Sequence, residues 1–461
     1  MGFPEDFSWG SATASYQIEG AHEDGGRTPS VWDTFSHTPG LVKNGDTGDI
    51  ACDHYHRYME DIKIMKDLGI QSYRFSLSWS RILPEGMGGR NKHGIDFYSR
   101  LIDSLLDAGI QPTATLYHWD LPQILQDKGG WANRDIVGWI SDYATAVAQE
   151  FGDRVANWVT LNEPWCFTWL GYFHGVHAPG IKDLDQAIAG SHHSALAHAE
   201  ITRALRAVHP EIRSGITLNM TNYRVDDPSN ADLNKLAAYQ DSHLNRWWLD
   251  AQLHGKYPEY LVEFYGDKLQ KFIQPGDMDK LKIDSEFLGI NYYSDSFIGT
   301  PTAEQVKENK GTFLFPINSD GTPPAPYTDM GWPITPVGLE DLLVRIHNDW
   351  PEIPDIAITE NGAAYDDAPD ENGLVNDERR VDYLVSHLDS VSRAIDRGVP
   401  VKAYYYWSLL DNFEWAEGYA KRFGIVYVNF ETLQRTPKLS ANVYSKVIKT
   451  NGQILDSVRK S

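Results

Sequence analysis

Apolar and polar positions recur along this chain in a unit of helix, glycine and strand. Residues 54–68 place Tyr55, Met59, Ile62 and Leu68 near helical spacing, and Gly69 stops the run. Ser72 to Trp79 then reads as a strand. Residues 95–108 repeat the helical pattern with Ile95, Tyr98, Ile102 and Leu105, Gly109 stops it, and Pro112 to Trp119 reads as the next strand. Gly69-Ile70-Gln71 and Gly109-Ile110-Gln111 lie 40 residues apart, as do Trp79 and Trp119. Farther on, Val381, Leu384, Leu388, Val391 and Ile395 form an apolar stripe opened by Asp377-Glu378 and closed by Gly398 and Pro400. A tyrosine-rich strand, Val401 to Ser408, follows it.

Further strands are predicted at 7–16, 157–163, 213–219, 287–293 and 355–360, with helices near 135–151, 184–207, 232–250 and 339–349. Eight strands alternating with helices predict an α/β fold, a single (β/α)8 TIM barrel occupying residues 1–461 as one catalytic domain. Long insertions near 20–50, 164–183, 300–336 and 409–430 all follow strand ends. They are expected to cover the C-terminal face of the strands and make a deep pocket.

Two apolar strands each stop at a glutamate: Trp158-Val159-Thr160-Leu161 before Glu163, and Ile356-Ala357-Ile358-Thr359 before Glu360. Inside a parallel strand a carboxylate would carry a large desolvation cost, whereas at the carboxyl end it can face a cleft. Two acids flanking one bond are what glycosidic hydrolysis needs, one to protonate the leaving oxygen and one to attack or support the anomeric carbon. By spacing alone, other barrel enzymes that end strands with acids fit as well.

Composition narrows the partners. The formal charge of −23 argues against nucleic acid and against anionic membranes. Fifteen Trp and 24 Tyr supply flat faces for core packing and for sugar C–H surfaces. Cys52 and Cys166 read as free buried thiols, not a disulfide framework. The start, Met1-Gly2-Phe3-Pro4-Glu5-Asp6, lacks a signal-peptide pattern, and no uncharged run is long enough to span a bilayer. A cytoplasmic protein is expected. His54, His56, His192, His193 and His198 form no metal-binding word, so no metal and no cofactor are expected. Gly86, Gly88 and Gly89 read as a turn near Pro84.

The chain resembles glycoside hydrolase family 1, the β-glucosidase family, from about residue 3 to 450. Matching words are Phe7-Ser8-Trp9-Gly10, Ser15-Tyr16-Gln17-Ile18-Glu19-Gly20, Tyr73-Arg74-Phe75-Ser76 and Tyr117-His118-Trp119-Asp120. They continue with Leu161-Asn162-Glu163-Pro164, Gly289-Ile290-Asn291-Tyr292-Tyr293 and Thr359-Glu360-Asn361-Gly362, and end with the run Trp407 to Trp415 and with Arg422-Phe423-Gly424. The resemblance implies Glu163 as acid/base and Glu360 as nucleophile, with retention of configuration and carboxyls about 5–5.5 Å apart. Arg74 and Tyr293 are expected to keep Glu360 ionised, while the charge of Glu360 raises the pKa of Glu163. Asn162 is expected to donate to the sugar 2-hydroxyl. Gln17, His118, Trp407, Glu414 and Trp415 match the positions that bind and stack on the nonreducing sugar. Trp119, Asn291 and Phe423 are expected to line the same site, and Trp332 to form a platform for the aglycone.

The resemblance implies hydrolysis of terminal β-D-glucosyl residues from cello-oligosaccharides and small β-glucosides, with galactosides or fucosides as side substrates. A homo-oligomer is left open. Phospho-β-glucosidase relatives carry a serine at position 414 and a tyrosine at 423, where this chain has Glu414 and Phe423; Lys421 fits either. Thioglucosidase relatives lack the acid that Glu163 supplies. A binding protein that had lost activity would lack a carboxylate, and a Schiff-base barrel would need a lysine at a strand end.

Overall fold

In the computed structural model, which describes residues 2–225, 227–299 and 326–455, eight parallel strands close into a barrel. They are β1 (Ser8–Ala12), β2 (Ser72–Ser76), β3 (Gln111–Tyr117), β4 (Asn157–Asn162), β5 (Arg213–Asn219), β6 (Phe287–Asn291), β7 (Ile356–Asn361) and β8 (Val401–Trp407). Each pairs with its neighbours in sequence, and β8 closes on β1 with Ser8 opposite Ala403 and Ala12 opposite Trp407. All eight predicted strands are present. Buried on both faces, they lack polar alternation, which is why continuous apolar runs marked them.

Helices follow the strands in turn: α1 (His54–Leu68), α2 (Lys92–Asp107), α3 (Ile136–Phe151), α4 (Leu184–Val208), α5 (Ala231–Asp241), α6 (Trp247–His254), α7 (Pro336–Asp349), α8 (Glu378–Asp396) and α9 (Leu439–Lys449). In α2 the inward face carries Tyr98, Leu101, Ile102 and Leu105, all fully buried. Each such apolar side chain contributes ~2 kcal/mol through burial.

Several sequence expectations need correction. Met59 does not join the buried stripe of α1; it is 57% exposed, and Met65 packs inward instead. The strand expected over 7–16 stops at Ala12, and a short helix, Ser15–Ile18, carries Gln17, which is buried. Ser76 Oγ accepts from the Ser15 backbone N–H (2.7 Å), ending the strand with a side-chain bond that hydropathy does not register. The helix expected over 232–250 is broken by a π-type turn at Ser242–Arg246. The helix α9 was not anticipated. Of the loop expected over 300–336, residues 300–325 lie outside the described residues.

The barrel interior is narrow in places. A Cβ on Gly289 of β6 would sit 2.2 Å from Thr217 Oγ1 and 3.0 Å from Thr359 Oγ1, so only glycine lets these two threonines approach. Among the described residues, no helix is long and apolar enough to cross a membrane.

Candidate active site

Glu163 lies one residue beyond the end of β4, and its backbone is left-handed (φ 48°). Trp119 (φ 78°) and Trp415 (φ 46°) share that region, which costs an L-residue about 1–3 kcal/mol. Hydrogen bonds anchor two of the three. The Glu163 N–H donates to the Thr217 carbonyl (2.9 Å), and Trp119 Nε1 donates to the Asn162 carbonyl (2.9 Å). The β4–β5 register shifts between Val159 and Asn162, which turns the end of β4 toward the mouth. Glu360 stands on β7 opposite Asn291 of β6.

The two acids have unlike partners. Arg74 Nη1 donates to Glu360 Oε1 (2.7 Å) and Tyr293 Oη donates to Glu360 Oε2 (2.7 Å), so each oxygen holds a donor and one donor is a cation. Arg74 is fully buried, and its Nη2 also donates to Asn162 Oδ1 (2.6 Å). Glu163 instead receives Asn291 Nδ2 at its Oε1 (2.6 Å) and the Cys166 thiol, both neutral. Burial, then the nearby charge of Glu360, pushes Glu163 up to about 7. Burial raises Glu360 too, but Arg74 and Tyr293 oppose it, so of the pair Glu360 keeps the charge. The expectation of one charged and one protonated acid follows from these donor sets. Glu414 is pushed up to about 8, by burial first and then by Glu360 and Glu163.

Both acids line a cavity of about 500 Å³ at the barrel mouth, with His118, Trp119, Asn291, Tyr293, Trp332, Trp407, Glu414, Trp415 and Phe423. Trp332 packs with its ring centroid 5.2 Å from Tyr293 and 6.1 Å from Phe423. Trp415 lies 4.5 Å from Trp119, and His118 stacks on Trp407 at 5.8 Å.

Gln17, Asn162 and Arg74 lie behind this lining. Gln17 Nε2 donates to the Phe413 carbonyl (2.8 Å) and Asn412 Oδ1 (3.1 Å). Asn162 Nδ2 donates to His118 Nε2 (3.0 Å). Burial and then Arg74 hold His118 well below the usual histidine range, so the ring is neutral. Gln17 Oε1 and His118 Nδ1 are buried without a protein partner, an acceptor and a donor suited to a hydroxyl-rich ligand.

The outer wall was missed by sequence reasoning: Trp165, Leu170, Val176, His177, Asn219 and Leu244. Three of these come from residues after Glu163 that coil as a π-type helix, Cys166–His174, and its exit. Only Asn219, at the end of β5, carried the strand-end signal. Cys52 and Cys166 are free and buried, Cys166 against the cavity. The helical histidines serve structure: His192 joins Tyr257 (2.7 Å) and Asp277 (3.0 Å), His198 joins Thr160 (2.8 Å), and His54 joins Asp61 (2.7 Å). Among the described residues, no cluster of three or more His, Cys, Asp or Glu side chains is arranged to hold a metal ion.

Two buried acids with unlike donors over one cavity, ringed by aromatic faces and unpartnered polar atoms on a parallel barrel, are the arrangement of a carbohydrate-cleaving enzyme. The glycosyl hydrolase family 1 profile matches residues 1–453. Beta-glucosidase A of Acetivibrio thermocellus is 48% identical over 452 residues, covering 98% of this chain and 99% of the relative. The bifunctional beta-D-glucosidase/beta-D-fucosidase of Bifidobacterium breve is 43% identical over 463 residues, covering 97% and 98%. The solved family 1 β-glucosidase from Thermotoga maritima superposes with a TM-score of 0.91 at 45% identity, covering 98% and 99%. The chain belongs to glycosyl hydrolase family 1 and is a glycoside hydrolase.

Proposed function

We propose that the enzyme is a retaining β-glucosidase in which Glu360 is the nucleophile and Glu163 the acid/base. The observation that carries this reading is the asymmetry of their donors, a cation and a phenol on Glu360 against neutral groups on Glu163. In the first step the Glu360 carboxylate attacks the anomeric carbon while Glu163 gives its proton to the departing oxygen, and the alcohol leaves. Attachment of Glu360 to the sugar removes its charge, so Glu163 ionises more readily. Glu163 then takes a proton from water, the water oxygen attacks the anomeric carbon, and Glu360 is released.

The substrates proposed are cello-oligosaccharides and aryl or alkyl β-glucosides, cleaved from the nonreducing end as in cellulose breakdown, with galactosides or fucosides as side substrates. Relatives named as 1,4-beta-D-glucan glucohydrolase and as a glucosidase/fucosidase support that range. Gln17, His118, Asn162, Trp407, Glu414 and Trp415 are proposed to bind the terminal sugar and Trp332 the aglycone. The negative field of Glu360 that already raises Glu414 disfavours a 6-phosphosugar there, and Lys421 donates to the Asp329 carbonyl. The chain is proposed to act as one catalytic unit in the cytoplasm, which its two free thiols suit.

A 2-deoxy-2-fluoro glucoside inactivator is expected to label Glu360 on peptide mapping. Label on another residue, or an α-configured first product, overturns the assignment.

A further inference from the structure

Behind the two acids, a hydrogen-bonded row crosses three adjacent strands. Thr217 Oγ1 of β5 donates to Thr359 Oγ1 of β7 (3.3 Å), and Thr359 Oγ1 donates to Asn291 Oδ1 of β6 (2.7 Å). Asn291 Nδ2 then donates to Glu163 Oε1 (2.6 Å) and Asn162 Oδ1 (3.1 Å). Thr217, Thr359 and Asn291 are all buried, and Gly289 leaves the space in which the two threonines meet.

A primary amide has nearly the same shape when its oxygen and nitrogen exchange places, but the opposite polarity. With Nδ2 toward Glu163, Asn291 stabilises the ionised acid. With Oδ1 there, it would require a protonated acid. Nδ2 faces two acceptors, Glu163 Oε1 and Asn162 Oδ1, and on the far side the hydroxyl of Thr359, itself accepting from Thr217, donates to Oδ1. A methyl in place of that hydroxyl would leave Oδ1 buried without a donor, a state that costs about 1–3 kcal/mol and loosens the hold of the amide on Glu163.

We propose that Thr359 is a positioning residue that fixes the orientation of the Asn291 amide and thereby allows Glu163 to ionise for the second chemical step. The inference rests on Glu163 being the acid/base. Thr359 does not line the cavity that holds the two acids and would act through Asn291. The second step is its natural readout, because Glu163 must then hold no proton until it takes one from water.

The test uses 2,4-dinitrophenyl β-glucoside, whose leaving group needs no proton, so that kcat/KM reports attack by Glu360 and kcat reports breakdown of the glycosyl-enzyme. Thr359→Val is expected to lower kcat ~10-fold, the scale of a weakened general base, with kcat/KM on the same substrate within about twofold. The alkaline limb of kcat/KM for phenyl β-glucoside should move to higher pH, and Thr359→Ser should restore both readouts. Adding Thr359→Val to Asn291→Ala should cost nothing further. Thr359→Ala offers the same readouts if valine prevents folding. Equal losses in kcat and kcat/KM with an unmoved limb, or additive losses in the double variant, overturn the inference. Glu163→Ala separates it from the parent reading. Equal slowing of all leaving groups removes the acid/base assignment and this inference with it. A leaving-group-dependent loss, beside an unaffected Thr359→Val, removes this inference alone.

Discussion

Three carboxyl groups share the mouth of the barrel, and their partners decide which stays charged. Glu360 has Arg74, whereas Glu163 and Glu414 have neutral donors and the field of Glu360. For Glu163, pushed up to about 7, the protonated form that the proposed first step requires is lost as pH rises through that value. The kcat/KM profile for phenyl β-glucoside is therefore expected to fall on its alkaline side near pH 7, and in Glu163→Ala that limb should vanish. The same variant should slow phenyl glucoside about 100-fold or more while barely changing kcat/KM for the dinitrophenyl glucoside. Glu414 carries a stability consequence. Its folded-state value, about 8, lies above its ordinary 4.5, so between those pH values the folded protein holds a proton that the unfolded chain releases. That difference destabilises the fold as pH rises from 4.5 and disappears below it. Glu414→Gln is expected to add on the order of 1–2 kcal/mol at pH 7 and nothing at pH 4, measured by urea denaturation, while raising KM.

At the scale of elements, the loop after β8 carries Glu414 and Trp415, and a buried charge network anchors it. Lys438, just before α9, donates to Asp411 Oδ1 (2.9 Å) and Asp367 Oδ2 (2.9 Å). Arg422 donates to Asp411 Oδ2 (2.9 Å), and Arg380 of α8 pairs with Asp367 and Asp377. Loops from β7 and β8 are thus held to the entrance of α9. Lys438→Met is expected to cost about 3–5 kcal/mol, because it leaves carboxylates buried with reduced compensation. Adding Asp367→Asn should recover part of that loss in the same denaturation measurement. This arrangement was invisible in the sequence. Asp367, Asp411 and Lys438 are separated by 27 residues or more, and a buried lysine looks like a surface lysine until its partners are known. The strands were legible for the opposite reason. Burial on both faces writes itself into a contiguous apolar run, and Glu163 and Glu360 interrupt such runs at their ends. Leu170 escaped notice because a π-type coil follows neither the period of a helix nor that of a strand, and Trp165 and Val176 flank that coil.

For the molecule as a whole, 64 acidic against 41 basic side chains set a negative field, and the mouth sharpens it locally. Charged Glu360 and Glu417 line the cavity, joined in charge by Glu163 and Glu414 only as pH rises through about 7 and about 8, and Lys43 pairs with Glu417 at 3.2 Å. A cleft lined by one sign of charge focuses the potential and repels ligands of that sign. This distribution was legible as a total but not as a position, since composition does not say which acids converge. It bears on the aglycone, proposed above to lie against Trp332. A β-glucoside with a carboxylate on its aryl aglycone should be hydrolysed with a kcat/KM ~3–10-fold below that of its methyl ester at low salt. Because screening shortens the field to about 10 Å at 0.1 M ionic strength, sodium chloride should narrow that ratio while leaving the ester's rate unchanged. A ratio independent of salt would mean that steric fit against Trp332 and Trp165, not charge, governs the discrimination. Glu417→Gln would then leave the ratio where it was, whereas under electrostatic control it should bring the two substrates closer together.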